Sequence, residues 1–230
     1  MFVVIFTVEP KPERWNDYLD LAKFLKPKLE AIDGFVDNER FESTRRKGRL
    51  LSLSTWRDEK AVVRWRSQGE HHGVQQKGRE EIFADYQLRV GEVTADTALP
   101  AGLNIAEQRF DATEVGAAKA ATVTELTPKP GAVDTRANAL ATALGLDVRR
   151  DGLVDVEAFE SIYNPGKLLL LGLWRDAEAA DAWMPSRPTD LAAPLRHRRV
   201  RIIRDYGMFD RREAPQYYPE VARSRQVAAE

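Results

Sequence analysis

The stretch FESTRRKGRLLSLSTWRD, Phe41–Asp58, returns 118 residues later as FESIYNPGKLLLLGLWRD, Phe159–Asp176, with the same ends and a changed middle. Laid over Asp151–Trp183 without a gap, Asp33–Trp65 gives 17 identical pairs in 33 positions. They include Asp33-Gly34 with Asp151-Gly152, Gly48 with Gly166, and Trp65 with Trp183. A two-fold copy of this kind marks a duplicated unit, since solenoid repeats run about 20 to 50 residues and need three or more copies. The sequence predicts a first domain over 1–95, a linker over 96–119, a second domain over 120–209 and a tail over 210–230.

Each unit can be read outward from that stretch. FVVIFTV at the start is apolar and β-branched enough for a strand, and EPKPE stops it. Trp15, Tyr18, Leu19, Ala22, Leu25 and Leu29 then recur at helical spacing until Asp33-Gly34. Phe35–Ser43 and Arg49–Trp56 read as strands joined by the loop TRRKG. A second helix opens at Arg57-Asp58, and YQLRVGEV closes the unit. The second unit repeats the order through AATVTEL, TRANALATALG, Leu153–Ser161, KLLLLGLW, DAEAADAWM and RRVRIIRDYGMF. The arrangement is β-α-β-β-α-β, ferredoxin-like, twice. LLLLGLW is apolar on both faces, so both must be covered. Helices cover one, and the sister unit's sheet is the natural cover for the other. The expected fold class is therefore α+β, two ferredoxin-like repeats closing a barrel within one chain.

Composition narrows the chemistry. Lys and Arg total 35 against 36 for Asp and Glu, which gives no global electrostatic case for nucleic acid or an anionic membrane. There is no cysteine, which removes disulfides, thiolate catalysis and zinc-ribbon chemistry. No apolar run approaches spanning length and MFVVIFTVEP lacks the features of a signal peptide, so the sequence predicts a soluble, cytoplasmic protein with small-molecule or protein partners.

The element order, Asp33-Gly34-Phe35 before the second strand, and TWRDEKAVVRWRSQGEH (Thr55–His71) leading into YQLRVGEV resemble the antibiotic biosynthesis monooxygenase (ABM) domain of the dimeric α/β-barrel superfamily. The likeness covers nearly all of Met1–Val93, and Ala120–Phe209 more loosely. Most members pair two such domains as a homodimer; the resemblance implies a fused tandem form, standing as a monomeric barrel or as a homodimer of barrels. It also implies a monooxygenase using dioxygen on a small aromatic, phenolic or polyketide-like substrate, without metal or flavin. Heme binding or degradation is the alternative, and a non-catalytic binding barrel is the rival from another class.

The changed middles locate the site. One strand face carries Leu50, Ser52, Ser54 and Trp56, while its counterpart carries Leu168, Leu170, Gly172 and Trp174. In the family this face looks toward the helices and the substrate cavity, so the hydroxyl-bearing first unit is the expected seat of chemistry. His71 and His72 are the histidines of that unit and titrate near neutrality. His72 falls seven residues beyond Trp65, on one helix face with it, and His71 falls where the family's Glu-His pair lies. Both also read as polar residues beside a helix break at Gly69. The resemblance makes Trp56 a pocket wall that holds substrate with its indole N–H, and Ser52 stands where quinone-forming members carry Asn. Both Trp56 and Trp174 also read as core at a strand-to-helix corner. Ser54, Trp65, Tyr86, Trp174 and Tyr206 complete the expected substrate-binding set. Should heme bind, His71, His72 and His197 are the candidate ligands, because the family's ligand position falls on Gln75 and the first strand offers no Asn. RHRRVRIIR, with His197 and five arginines, reads either as an anion clamp or as the solvated flank of an edge strand. Tyr206, Tyr217 and Tyr218 are candidates for a cavity mouth, in a tail expected to pack across one unit and fray near Ala222.

Overall fold

A computed structural model describes residues 1–129, 131, 134–186 and 195–222; the expected fraying beyond Ala222 lies outside them. The first repeat runs β1 (Phe2–Pro10), α1 (Trp15–Glu30), β2 (Phe35–Ser43), β3 (Leu50–Trp56), α2 (Glu59–Arg66), α3 (Gly69–Lys77) and β4 (Phe83–Asp96). A π turn, Gly78–Ile82, links α3 to β4. The second runs β5 (Ala120–Leu126), α4 (Ala137–Ala143), β6 (Leu153–Ser161), β7 (Leu168–Trp174), α5 (Ala177–Asp181) and β8 (Leu195–Gly207).

The repeated letters build the same corner twice. Asp58 caps α2 by accepting the Ala61 N–H at 2.8 Å, and Asp176 caps α5 by accepting that of Ala179 at 2.8 Å. Arg57 grips Asp33 with both Nη atoms, at 2.9 and 2.8 Å, and Arg175 answers with Asp151. Gly34 (φ 91°) and Gly152 (φ 84°) sit beneath those helices, where a Cβ would lie 2.7 Å from the Ala61 Cβ and 2.5 Å from the Ala179 Cβ. Only glycine fits both the left-handed backbone and the close approach.

The eight strands close into one barrel in the order β1-β3-β2-β6-β7-β5-β8-β4. Each repeat contributes four strands, joined by a short β2–β6 seam (Phe41 opposite Ser161) and a long β4–β8 seam (Gln87 opposite Gly207 through Asp96 opposite Arg198). The expectation that RHRRVRIIR flanks an edge strand is corrected here: β8 is hydrogen-bonded to β4 on one side and β5 on the other, and Arg198 is buried against Glu125 and Thr55. Closure leaves no strand edge for another chain to extend. Leu51, Leu53, Leu169, Leu171 and Leu173 point inward with Ile5, Phe41 and Phe159, and Leu103 and Ile105 of the connecting segment pack against this interior. The alternate residues of β3 and β7 face outward, toward the helices.

Candidate active site

Strand register lays out the floor of the site. Arg40 of β2, Ser52 of β3, Phe6 of β1, Leu88 of β4 and Tyr206 of β8 are opposite one another across five strands. Asn38, Ser54, Val4 and Val90 form the next row on the same face. Helices α1, α2 and α3 do not seal this face. A cavity of about 190 Å³ remains between floor and helices, roofed by Tyr18, Leu25, Val62, Trp65, His71 and Val74 and walled by Arg79, Tyr86, Arg211 and Tyr218. His71, Ser52, Ser54, Trp65, Tyr86 and Tyr206 all line it.

The hydroxyls on the floor are oriented. Asn38 Nδ2 donates to Ser52 Oγ at 3.0 Å, and Trp56 Nε1 donates to Ser54 Oγ at 2.9 Å. Each serine therefore has an acceptor site filled from below and an O–H left for whatever occupies the cavity. An amide thus stands beside Ser52, on Asn38 of the neighbouring strand. Trp56 itself departs from expectation. It is fully buried, edge-on to Phe35 at 5.5 Å, is not among the lining residues, and spends its indole N–H on Ser54.

The two histidines part company because the helix breaks between Arg66 and Gly69. Gln68 caps the new helix α3 by accepting the His71 N–H at 2.7 Å. That break puts His71, not His72, against Trp65, with rings stacked at 4.0 Å. His71 Nδ1 is 3.0 Å from the Trp65 carbonyl, which can only accept, so Nδ1 carries the proton and Nε2 holds a bare lone pair. Burial pushes the His71 pKa down to about 4, against the pull of that carbonyl, so the ring is neutral at pH 7. His72 instead stacks on Tyr218 and meets its hydroxyl at 2.9 Å. The shared face expected for Trp65 and His72 assumed an unbroken helix.

The tail walls the site. Tyr218 Oη donates to Gln75 at 2.9 Å, Gln216 Nε2 donates to the Arg66 carbonyl at 3.1 Å, and Arg79 Nη2 reaches the Pro219 carbonyl at 3.3 Å. Arg79 and Arg211 both donate to Tyr86 Oη, at 2.7 and 2.8 Å. Burial raises the Tyr206 pKa to about 12, so that hydroxyl stays protonated. Tyr217, expected at the mouth, points into solvent at 89% exposure.

On the second repeat the described residues of the equivalent face form an apolar cluster with α4 and α5. Ala158, Leu170, Thr124 and His197 occupy the row that Arg40 and Ser52 begin in the first. Trp174 and Trp183 stack at 6.1 Å above it, and the Trp174 indole donates to Thr122 at 2.9 Å. Trp174 is thus core rather than a substrate contact. His197 is 1% exposed, its Nδ1 is 2.8 Å from Thr124 Oγ1, and its ring meets Trp183 edge-on at 5.1 Å. Of the three heme-ligand candidates, only His71 reaches the cavity. Among the described residues no group of three His, Cys, Asp or Glu converges on a metal position, and no helix is long and apolar enough to cross a membrane.

Sequence reasoning missed Tyr18, Asn38, Arg40, Arg79, Arg211 and, as a tail strap, Gln216. The signal for two of them was present: VDNERFES against VDVEAFES differs at Asn38/Val156 and Arg40/Ala158, both on the cavity face.

Comparison with known proteins completes the description. The antibiotic biosynthesis monooxygenase family model matches residues 1–77 and 120–189. A protein of Pyricularia oryzae named Jasmonate monooxygenase ABM is 40% identical over 224 residues, covering 95% of this chain and 99% of that protein. Among solved structures, the chain is similar to an anthrone oxidase-like protein (13% identity; 94% of this chain and 96% of that one; TM-score 0.35). It is also similar to an antibiotic biosynthesis monooxygenase (20% identity; 44% of this chain and 100% of that one; TM-score 0.34).

Proposed function

Because the chain belongs to the antibiotic biosynthesis monooxygenase family, we propose that it oxidises a small, largely apolar cyclic ketone or phenol with dioxygen, inside the cavity of the first repeat. The observation that carries this reading is one apolar cavity lined by a neutral imidazole with a bare Nε2 and by two serine hydroxyls free to donate. The domain over 1–95 supplies the base and the serines, and the domain over 120–209 adds Tyr206 to the floor and otherwise serves as scaffold.

His71 Nε2 takes a proton from a substrate carbon or hydroxyl. The O–H groups of Ser52 and Ser54 hold the oxygen on which the negative charge settles. The electron-rich anion passes one electron to dioxygen, and the two radicals recombine as a hydroperoxide. Loss of water leaves a carbonyl, so a methylene and one dioxygen become a ketone and one water. The substrate is the reductant, and the step calls on no metal or flavin. Val4, Phe6, Val62 and Leu88 keep bulk water from the anion.

Jasmonate, a cyclic ketone, is the first compound to try, since the Pyricularia relative is named for it. The test is oxygen uptake with jasmonic acid, anthrone and a panel of hydroquinones. With the compound that turns over, His71→Gln is expected to lower kcat by about 100-fold or more with the fold intact. Unchanged turnover in that variant removes His71 as the base. A Soret band saturating at one hemin per chain moves the reading to heme oxygenation.

A further inference from the structure

Five cationic side chains line the cavity of the first repeat, Lys26, Arg40, Arg66, Arg79 and Arg211, and among the described residues no Asp or Glu lines it. The chain as a whole is balanced, with 35 basic against 36 acidic residues. A pocket lined by one sign of charge in such a protein has a field of its own.

Four of the five, Arg40, Arg66, Arg79 and Arg211, meet no described carboxylate, and Arg40 is the one of them whose Nε is also buried without a hydrogen-bond partner. Most buried or half-buried arginines here meet a carboxylate, as Arg198 meets Glu125, Arg89 meets Asp205 and Arg196 meets Asp96. No described carboxylate lies within ion-pair distance of Arg40. Its Nη1 reaches the Tyr163 hydroxyl at 3.3 Å, while its Nε is buried without a hydrogen-bond partner. Tyr18 Oη, on the roof of the same cavity, is buried beside the guanidinium and interacts with it, although no hydrogen bond of good geometry joins the two. A buried cation whose neighbours are neutral hydroxyls costs free energy unless an anion arrives to meet it.

We propose that the Nε–Nη2 edge of Arg40, with the Tyr18 hydroxyl beside it, is a carboxylate-binding subsite, and that the substrate is an organic acid held by that group at the β2 end of the floor. The side-on edge of a guanidinium matches the two oxygens of a carboxylate. Arg40 and Tyr206 stand at opposite ends of a five-strand row. An acid anchored at Arg40 lays its apolar body along Phe6 and Leu88, beneath His71 and Trp65. The second repeat, with Ala158 in place of Arg40, has no such subsite. This deepens the monooxygenase reading and rests on it for the word substrate; the subsite itself is testable by binding alone.

The test uses two pairs of probes differing in charge: jasmonic acid with its methyl ester, and 8-anilinonaphthalene-1-sulfonate with uncharged N-phenyl-1-naphthylamine. Affinity is measured by titration on the full chain, following tryptophan or dye fluorescence. The wild type is expected to favour the anion of a pair by tenfold or more. Arg40→Gln lowers affinity for the anion at least tenfold and leaves the neutral partner within twofold; Arg40→Lys restores part of the loss. Equal affinities within both pairs, an equal loss of both partners in Arg40→Gln, or no binding of either pair overturns the subsite. The dye pattern without turnover of any ketone or phenol leaves the subsite standing and sinks the oxygenase reading. Turnover without charge discrimination does the reverse.

Discussion

At the scale of single residues, His71 shows how a fold sets the working form of a side chain. Its pKa, near 6.5 in an open chain, falls to about 4 because α3 and Trp65 take the ring out of water. Above pH 5 the ring is therefore neutral, the form that the proposed role as base requires. The acid limb of kcat/KM is expected near pH 4, where an exposed imidazole would put it near 6.5, measured wherever the chain stays folded. His197, lowered to about 4 by burial against Trp183, adds a stability consequence. Both rings bind protons more readily unfolded than folded. Their contribution is therefore complete above pH 6.5, declines as pH falls from 6.5 toward 4, and is gone below. Each contributes up to about 3 kcal/mol. Urea denaturation at pH 7 and pH 4.5 should show a loss of that order, reduced by His197→Gln; a flat profile would mean that His197 is not held neutral.

At the scale of elements, the site depends on a helix that breaks and a tail that straps. Ser67 and Gln68 end α2 and restart α3, and this rotation turns His71 into the cavity and His72 toward the tail. The tail then grips both: Tyr218 holds His72 and Gln75, Gln216 the Arg66 carbonyl, Arg79 the Pro219 carbonyl. Ending the chain after Ala214 removes these contacts and leaves the barrel strands intact. KM for the compound that turns over is expected to rise about tenfold, as the wall gives up its preorganisation, with kcat changed less. Acrylamide should also quench the tryptophan fluorescence more readily. A truncated chain with unaltered KM and quenching would assign the tail no part in the pocket.

At the scale of the whole molecule, two copies of one unit have become unequal halves of one barrel. Each half needs the other, because β2 and β4 carry open edges until β6 and β8 pair with them, and Leu51 and Leu53 are dry only against Leu169 and Leu171. A fragment of residues 1–96 is therefore expected to dimerise or aggregate rather than remain a folded monomer, which light scattering after gel filtration decides. A stable monomer would show that the seams are dispensable. Fusion permits what a homodimer of identical chains cannot: Arg40, Asn38 and Ser52 in one half, Ala158, Val156 and Leu170 in the other.

The sequence alone determined the duplication, the element order and the barrel, because these rest on local periodicity and on letters that must recur wherever the same corner is built: Asp-Gly, Trp-Arg-Asp, and the helix alanine that sits over that glycine. It also pointed to the first repeat, since the hydroxyls of Ser52 and Ser54 are strand-alternation facts. The tertiary structure decided which of two adjacent histidines faces the cavity, that the Trp56 indole serves Ser54, and that Arg40 meets tyrosine hydroxyls but no described carboxylate. Each of these depends on a contact between segments distant in the chain: α3 against α2, β2 against β3, tail against helix. Such contacts are fixed by packing and by the competition of every donor for an acceptor, which no spacing along the chain records.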